Sequence, residues 1–221
     1  MEVKSVIFDL DGTLVDSLPG IEYAVHHAIN SVLSDTTKID FRRLIGPPIR
    51  DIFCLMYPKI EEKKLNTLVN EFRRIYDSVG WQKTCLFDGV KEMLNNIKGI
   101  NISIFMVTSK PKMPTLNILN QLQLTAYFLD VISPDIFNPP FSSKTEGVAY
   151  LINKFSLDTS NLLLVGDTQE DAKAAKACGI PFVAVTYGYG CFQDNYVNAK
   201  FYRINKITEL CTIINKGGMI K

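Results

Sequence analysis

The chain offers little that would tie it to a membrane, to nucleic acid or to an oxidising compartment. Its 24 Lys and Arg are balanced by 23 Asp and Glu, for a formal charge of +1. No broad field of one sign exists to gather nucleic acid or an anionic lipid surface, so any anion must be met by a local site. No apolar run free of charge approaches the roughly 18–20 residues that cross a bilayer. The first hydrophobic run, Val6-Ile7-Phe8, is cut at once by Asp9, with no basic stretch before it and no small-residue cleavage site after it. Secretion and membrane insertion are therefore not expected. Cysteine is sparse and unpatterned: Cys54, Cys85, Cys178, Cys191 and Cys211 are odd in number, scattered, and lack metal-ligand spacing, which reads as reduced thiols in a cytoplasmic protein. Only two histidines occur, His26 and His27. Adjacent on an expected helix, they cannot face one site together and are read as surface or packing residues.

What is present suits an ordinary globular enzyme. At 47% hydrophobic and 21% charged, the composition supports a core without disulfide or metal staples, and 221 residues suggest a core domain carrying a smaller insertion. Short apolar runs at 4–10, 102–108, 129–133, 161–166 and 182–186 fill consecutive positions without alternating, as buried strands of a parallel sheet do. Helical periodicity separates them at 90–97, 114–122, 145–155 and 171–178. The expected fold class is α/β, a doubly wound Rossmann-like parallel sheet. From 16 to 86 the rhythm changes to helical patterns alone, at 21–33 and 61–79, interrupted by Gly46-Pro47-Pro48. The expected domains are a core of 1–15 and 87–221 with an all-helical insertion at 16–86, hinged near the carboxyl end of the first strand, where a lid would sit. The tail after Thr212, with Gly217-Gly218, is expected to fray.

The residues that carry chemistry stand at strand ends. Asp9 and Asp11 flank Leu10 where the first strand breaks toward Gly12-Thr13. An extended chain would point both carboxylates the same way, whereas a turn at Gly12 would stagger them, and either arrangement needs a cation to offset the repulsion of like charges. Taken alone, Asp-Leu-Asp-Gly is equally an Asx turn. The run Leu162-Leu163-Leu164-Val165-Gly166 ends in Asp167, and Asp171 follows four residues later. Asp167 could complete an oxygen-rich magnesium site, and Asp171 could orient it or simply favour the first turn of its helix. Thr108-Ser109 closes another strand with two hydroxyls suited to phosphate oxygens, or to a plain cap. Lys144, after Ser142-Ser143, could neutralise a phosphate as a point charge or lie on the surface.

The ordered set Asp9-Leu10-Asp11-Gly12-Thr13, Thr108-Ser109, Lys144, and Gly166-Asp167 with Asp171 resembles the four motifs of the haloacid dehalogenase superfamily, over essentially the whole chain. The helical insertion resembles that superfamily's helical, C1-type cap, and Leu44-Ile45-Gly46-Pro47-Pro48-Ile49-Arg50 is similar to the cap loop of phosphoglycolate-phosphatase-like members. The superfamily's dehalogenases lack the second aspartate, so Asp11 implies phosphoryl transfer.

By that resemblance Asp9 is the nucleophile and Asp11 the acid that protonates the leaving oxygen and then activates water. Asp9, the backbone carbonyl of Asp11 and Asp167 would hold Mg2+, supported by Asp171, while Thr108, Ser109 and Lys144 would bind the phosphoryl group. Arg50 is the candidate cap contact to the substrate, or else the exposed start of a cap helix. The resemblance thus implies a phosphatase acting on a small phosphorylated metabolite, with no nucleic-acid or membrane partner. A phosphomutase, a nucleotidase or pyrophosphatase of the same superfamily, and a non-catalytic phosphate-binding protein are the rival readings. The loop Thr186-Tyr187-Gly188-Tyr189-Gly190 reads either as a rim element or as a plain glycine turn.

Overall fold

The computed structural model describes residues 2–36, 41, 44–45, 47–190, 192 and 201–215. Gly46 of the expected cap loop, Cys191, and the Gly217-Gly218 tail lie outside the described residues. The chain forms two compact units, one of Met1–Val15 with Leu86–Lys221, the other of Asp16–Cys85.

In chain order the strands are β1 (Ser5–Phe8), β2 (Val15–Asp16), β3 (Cys85–Leu86), β4 (Ser103–Val107), β5 (Asp130–Ile132), β6 (Leu162–Gly166), β7 (Phe182–Val185) and β8 (Phe201–Ile204). The helices are α1 (Leu18–Leu33), α2 (Ile49–Met56), α3 (Glu62–Ser78), α4 (Val90–Gly99), α5 (Lys112–Gln121), α6 (Lys144–Phe155), α7 (Gln169–Ala177) and α8 (Glu209–Asn215). Six strands make one sheet in the order β5-β4-β1-β6-β7-β8, and every pairing in it is parallel. The fold is therefore α/β with a doubly wound parallel sheet. β2 and β3 pair as a separate two-stranded sheet.

The central strands read as unbroken apolar runs because both of their faces are covered: all four residues of β1 and all five of β6 are buried. Ile7, Phe105, Leu164 and Phe182 share a core cluster with Val148 and Leu151 of α6 and Ala172 and Ala175 of α7. β8 has no such run. Only Ile204 of its four residues is buried, as suits a sheet edge, and the expected strand set misses it for that reason. The expected fraying also begins too early, because α8 continues to Asn215 with Ile213 and Ile214 buried.

From β1 the chain goes to β4 and β5 on one side, then returns to β6, β7 and β8 on the other. Parallel sheets bind ligands outside the carboxyl ends of their strands at such a reversal. Phe8 lies level with Met106 of β4 and Val165 of β6, so the residues just past these three strands reach one level of one edge.

The second unit is helical. α3 buries Leu65, Leu68, Val69, Phe72, Ile75 and Tyr76, a stripe at the spacing of three and four that puts one helix face inward. Phe72 stacks on Tyr76 at 5.5 Å and meets Phe53 of α2 edge-on at 6.3 Å. Among the described residues no helix is long and apolar enough to cross a membrane.

Leu68 is fully buried, whereas Leu55 of α2 is 66% exposed. Leu68→Ala is therefore expected to destabilise the chain by about 2–5 kcal/mol in urea unfolding. Leu55→Ala is expected to stay within about 0.5 kcal/mol of the parent. Equal losses in the two variants would contradict this packing of the helical unit.

Candidate active site

Three strand ends and two helix starts build the site, all within the α/β unit. Asp9 follows β1 directly and is anchored by its own N–H, which donates to the carbonyl of Val165 at 2.9 Å. The chain then turns tightly. The N–H groups of Thr13, Leu14 and Val15 all donate to the carbonyl of Leu10, and Gly12 takes a φ of 83°, a left-handed conformation that suits glycine. This turn decides between the two arrangements open to the acidic pair. The carboxylates are staggered: Asp9 turns to Lys144 and Asp11 turns to Lys110.

Lys144 opens α6. The helix start is set by Ser143, whose hydroxyl caps the N–H of Glu146 at 3.4 Å. With its side chain only 5% exposed, the ammonium of Lys144 donates to Asp9 at 2.6 Å and to Asp171 at 2.5 Å. Asp171 enters from α7 as half of a reciprocal cap. Its carboxylate accepts from the N–H of Thr168 at 3.0 Å and from the Thr168 hydroxyl at 2.6 Å, while the Thr168 hydroxyl accepts from the N–H of Asp171. The capping and site-building readings of Asp171 thus hold together, one oxygen serving the helix and the other serving Lys144.

Asp167, immediately after β6, is fully buried and accepts from the Thr13 hydroxyl at 3.2 Å and from the N–H of Tyr189 at 2.7 Å. One oxygen from each of Asp9, Asp167 and Asp171 lies within 4.8 Å of the others. The Asp11 side chain stands outside this group, with Lys110 3.2 Å from its Oδ2 and its buried Oδ1 lacking a hydrogen-bond partner. Among the described residues of the site, four carboxylates thus face two ammoniums. The surplus of two negative charges matches one divalent cation, and hard oxygen donors suit magnesium. The donor set fits that ion.

Proton affinities at the site are governed first by burial and then by the neighbouring charges. Burial holds the Asp9 carboxyl well above the usual carboxylate range; Lys144 opposes this, and the charges of Asp171 and Asp167 reinforce it. Burial, aided by Asp171, likewise pushes Asp167 up to about 6, against the N–H bonds it receives and the charge of Lys144. For Lys144, burial acts to remove the proton, but Asp171 and Asp9 outweigh it and keep the ammonium charged.

Thr108, just past β4, is buried, and its hydroxyl accepts from the N–H of Lys110 at 3.1 Å; Ser109 is exposed. Arg50 belongs to the helical unit. There its guanidinium donates to Asn66 at 2.7 Å and to Glu62 at 2.5 Å. Sequence reading overlooked Lys110 and the part played by Thr13. Lys110 directly follows Thr108-Ser109, but a lone lysine after a hydroxyl pair carries no signal until its 7% side-chain exposure and its partner are seen.

Similarity to known proteins extends over most of the chain. The model of the haloacid dehalogenase-like hydrolase family matches residues 6–185. A phosphoglycolate phosphatase of Photobacterium profundum is 31% identical over 96% of this chain and 96% of its own length. The tyrosine-protein kinase PtkA of Mycobacterium tuberculosis is 31% identical over 84% of this chain and 62% of that protein. The structure of a haloacid dehalogenase-like family hydrolase from Streptococcus pneumoniae superposes with a TM-score of 0.84 at 23% identity, over 95% of this chain and 97% of its own, and so shares the fold. The chain belongs to the haloacid dehalogenase-like hydrolase family.

Proposed function

We propose that this hydrolase is a magnesium-dependent phosphatase of the phosphoglycolate-phosphatase kind, cleaving a small phosphomonoester through an aspartyl-phosphate on Asp9. The observation that carries the reading is the convergence of Asp9 with Lys144, Asp167 and Asp171 at one edge of the sheet. A nucleophilic carboxylate, a buried cation for phosphate oxygens and a carboxylate surplus for a divalent metal stand together there. The phosphoglycolate phosphatase of Photobacterium profundum, matched along 96% of its length, supports a small substrate.

In this mechanism a carboxylate oxygen of Asp9 attacks phosphorus, the bond from phosphorus to the leaving oxygen breaks, and Asp11 gives that oxygen its proton. Water then attacks the phosphorus of the aspartyl-phosphate while the Asp11 carboxylate accepts its proton. Cleavage of the bond to the Asp9 oxygen frees inorganic phosphate and restores the enzyme. Thr108 and Ser109 hold the phosphoryl oxygens, and Lys144 offsets the charge of the anion that Asp9 must approach. Magnesium would be held by the carboxylates of Asp9 and Asp167 and the backbone carbonyl of Asp11, with Asp171 in support, and when bound it supplies neutralisation of the phosphoryl charge.

Asp9→Asn is expected to abolish phosphate release while leaving the circular dichroism spectrum intact, because an amide keeps the shape but is a poor nucleophile. Near-native turnover in the purified variant would sink the covalent mechanism. Asp11→Asn is expected to slow turnover by about 10²–10⁴-fold, the usual worth of a positioned proton donor and acceptor.

Activity is expected to need magnesium and to fall when calcium replaces it, since calcium takes more oxygens at longer distances and would occupy both oxygens of Asp9. Full activity in excess chelator, with metal removal verified, would refute the metal role.

Arg50 is proposed as a contact to an anionic group on the substrate, a role that requires exchange of its bonds to Glu62 and Asn66. Arg50→Ala is then expected to cut catalytic efficiency on the best anionic substrate by about 10- to 100-fold, as fits one charge-assisted contact. A small aryl phosphate should lose far less. Equal losses on the two substrates, or none, would leave Arg50 as a structural tie between α2 and α3.

A further inference from the structure

The loop after β7 grips Asp167 from outside the sheet. Its start is tied down at Thr186, whose N–H donates to the carbonyl of Ile204 at 3.0 Å and whose hydroxyl bonds Asn205 at 2.6 Å. Three residues later the chain has crossed to Asp167. There the N–H of Tyr189, at 2.7 Å, and the N–H of Gly190, at 3.3 Å, both donate to Oδ2. The phenol of Tyr187 donates to the carbonyl of Thr13 at 2.7 Å, and its ring packs on Phe87 with centroids 4.8 Å apart. The hydroxyl of Thr13 in turn donates to Oδ1 of Asp167 at 3.2 Å. Both carboxylate oxygens are therefore held, one by the loop directly and the other through a residue that the loop anchors.

The two glycines are needed for closeness rather than for an unusual backbone. A Cβ on Gly188 would stand 2.4 Å from the Cβ of Asp167 and 2.4 Å from the carbonyl oxygen of Gly12. One on Gly190 would stand 1.9 Å from the carbonyl oxygen of Asp167. A glycine turn that served only to end β7 would not have to touch Asp167 along both its backbone and its side chain.

We propose that Tyr187-Gly188-Tyr189-Gly190 is a positioning clamp that fixes the orientation of the Asp167 carboxylate and thereby sets the affinity of the site for its divalent cation. The proposal rests on the reading of Asp167 as a metal ligand. Two N–H donors use the lone pairs of Oδ2, whereas Oδ1 receives one hydroxyl and keeps capacity for a cation. Partners that orient a ligating carboxylate govern metal affinity by about 10- to 100-fold.

Calorimetric titration of the metal-free full chain with Mg2+ tests the clamp without reference to turnover. Gly188→Ala is expected to weaken Mg2+ binding by about 10- to 100-fold, in line with lost orientation of a ligating carboxylate. Tyr187→Phe, which removes one hydroxyl and keeps the ring against Phe87, is expected to weaken binding by about threefold, the scale of one neutral hydrogen bond. In both variants the deficit in turnover should shrink as Mg2+ is raised, which a defect of folding alone would not do. Asp167→Asn separates the two layers of the reading. If it leaves Mg2+ affinity unchanged, Asp167 is not a ligand and the clamp falls with that assignment. If it abolishes binding while Gly188→Ala and Tyr187→Phe bind like the parent, the ligand stands and the clamp alone is overturned. Should Gly188→Ala fail to fold, Tyr187→Phe decides by itself.

Discussion

The buried ammonium of Lys144, shared between Asp9 and Asp171, is the interaction on which the rest of the site depends. An ammonium removed from water without partners would be strongly unfavourable, and so would either carboxylate. Together they form a charged cluster that is already negative, one ammonium against two carboxylates, and Asp167 lies in the same group of oxygens without an ammonium bonded to it. The cluster is therefore stable enough to be held in a fold yet electrostatically incomplete. In the proposed function that incompleteness is what would draw in a divalent cation and, next to it, a dianionic phosphate ester whose approach to a carboxylate is otherwise opposed by repulsion.

The architecture delivers these groups economically. Asp9 and Lys144 are 135 residues apart, yet parallel strands place every carboxyl end on one edge, and the helix starts that follow them return to the same edge. The local devices that begin the helices also aim the chemistry. Ser143 caps α6 so that Lys144 is its first residue, and the cap at Thr168 turns one oxygen of Asp171 to the backbone while the other meets Lys144. A change to either cap therefore has two effects, on helix stability and on the charge network, which a simple cap would not combine.

Much of the fold was legible for one physical reason. β1 and β6 are buried on both faces, so their apolar residues run without interruption, and the helices between them show the usual spacing of three and four. Where that reason fails, so does the reading. β8 sits at an edge with only one of its four residues buried, so it shows no apolar run. The acidic residues stood out because a carboxylate directly after an apolar run is unusual. Lys110 and the hydroxyl of Thr13 did not, since their significance lies wholly in which buried oxygens they face.

By itself the sequence determined the strand and helix rhythm of the core, the acidic residues at strand ends, and the order of four motifs that marks the family. These are matters of short range along the chain, where side-chain periodicity and the break from apolar run to polar loop can be read directly. Only the tertiary structure decided how the charges pair: Asp9 with Lys144, Asp11 with Lys110, and Asp167 with the N–H groups of a loop more than twenty residues further on. Hydrogen bonds and ion pairs act over about 3 Å. The turn at Gly12 and the order of strands set which groups come that close, and neither is written in the spacing of the motifs.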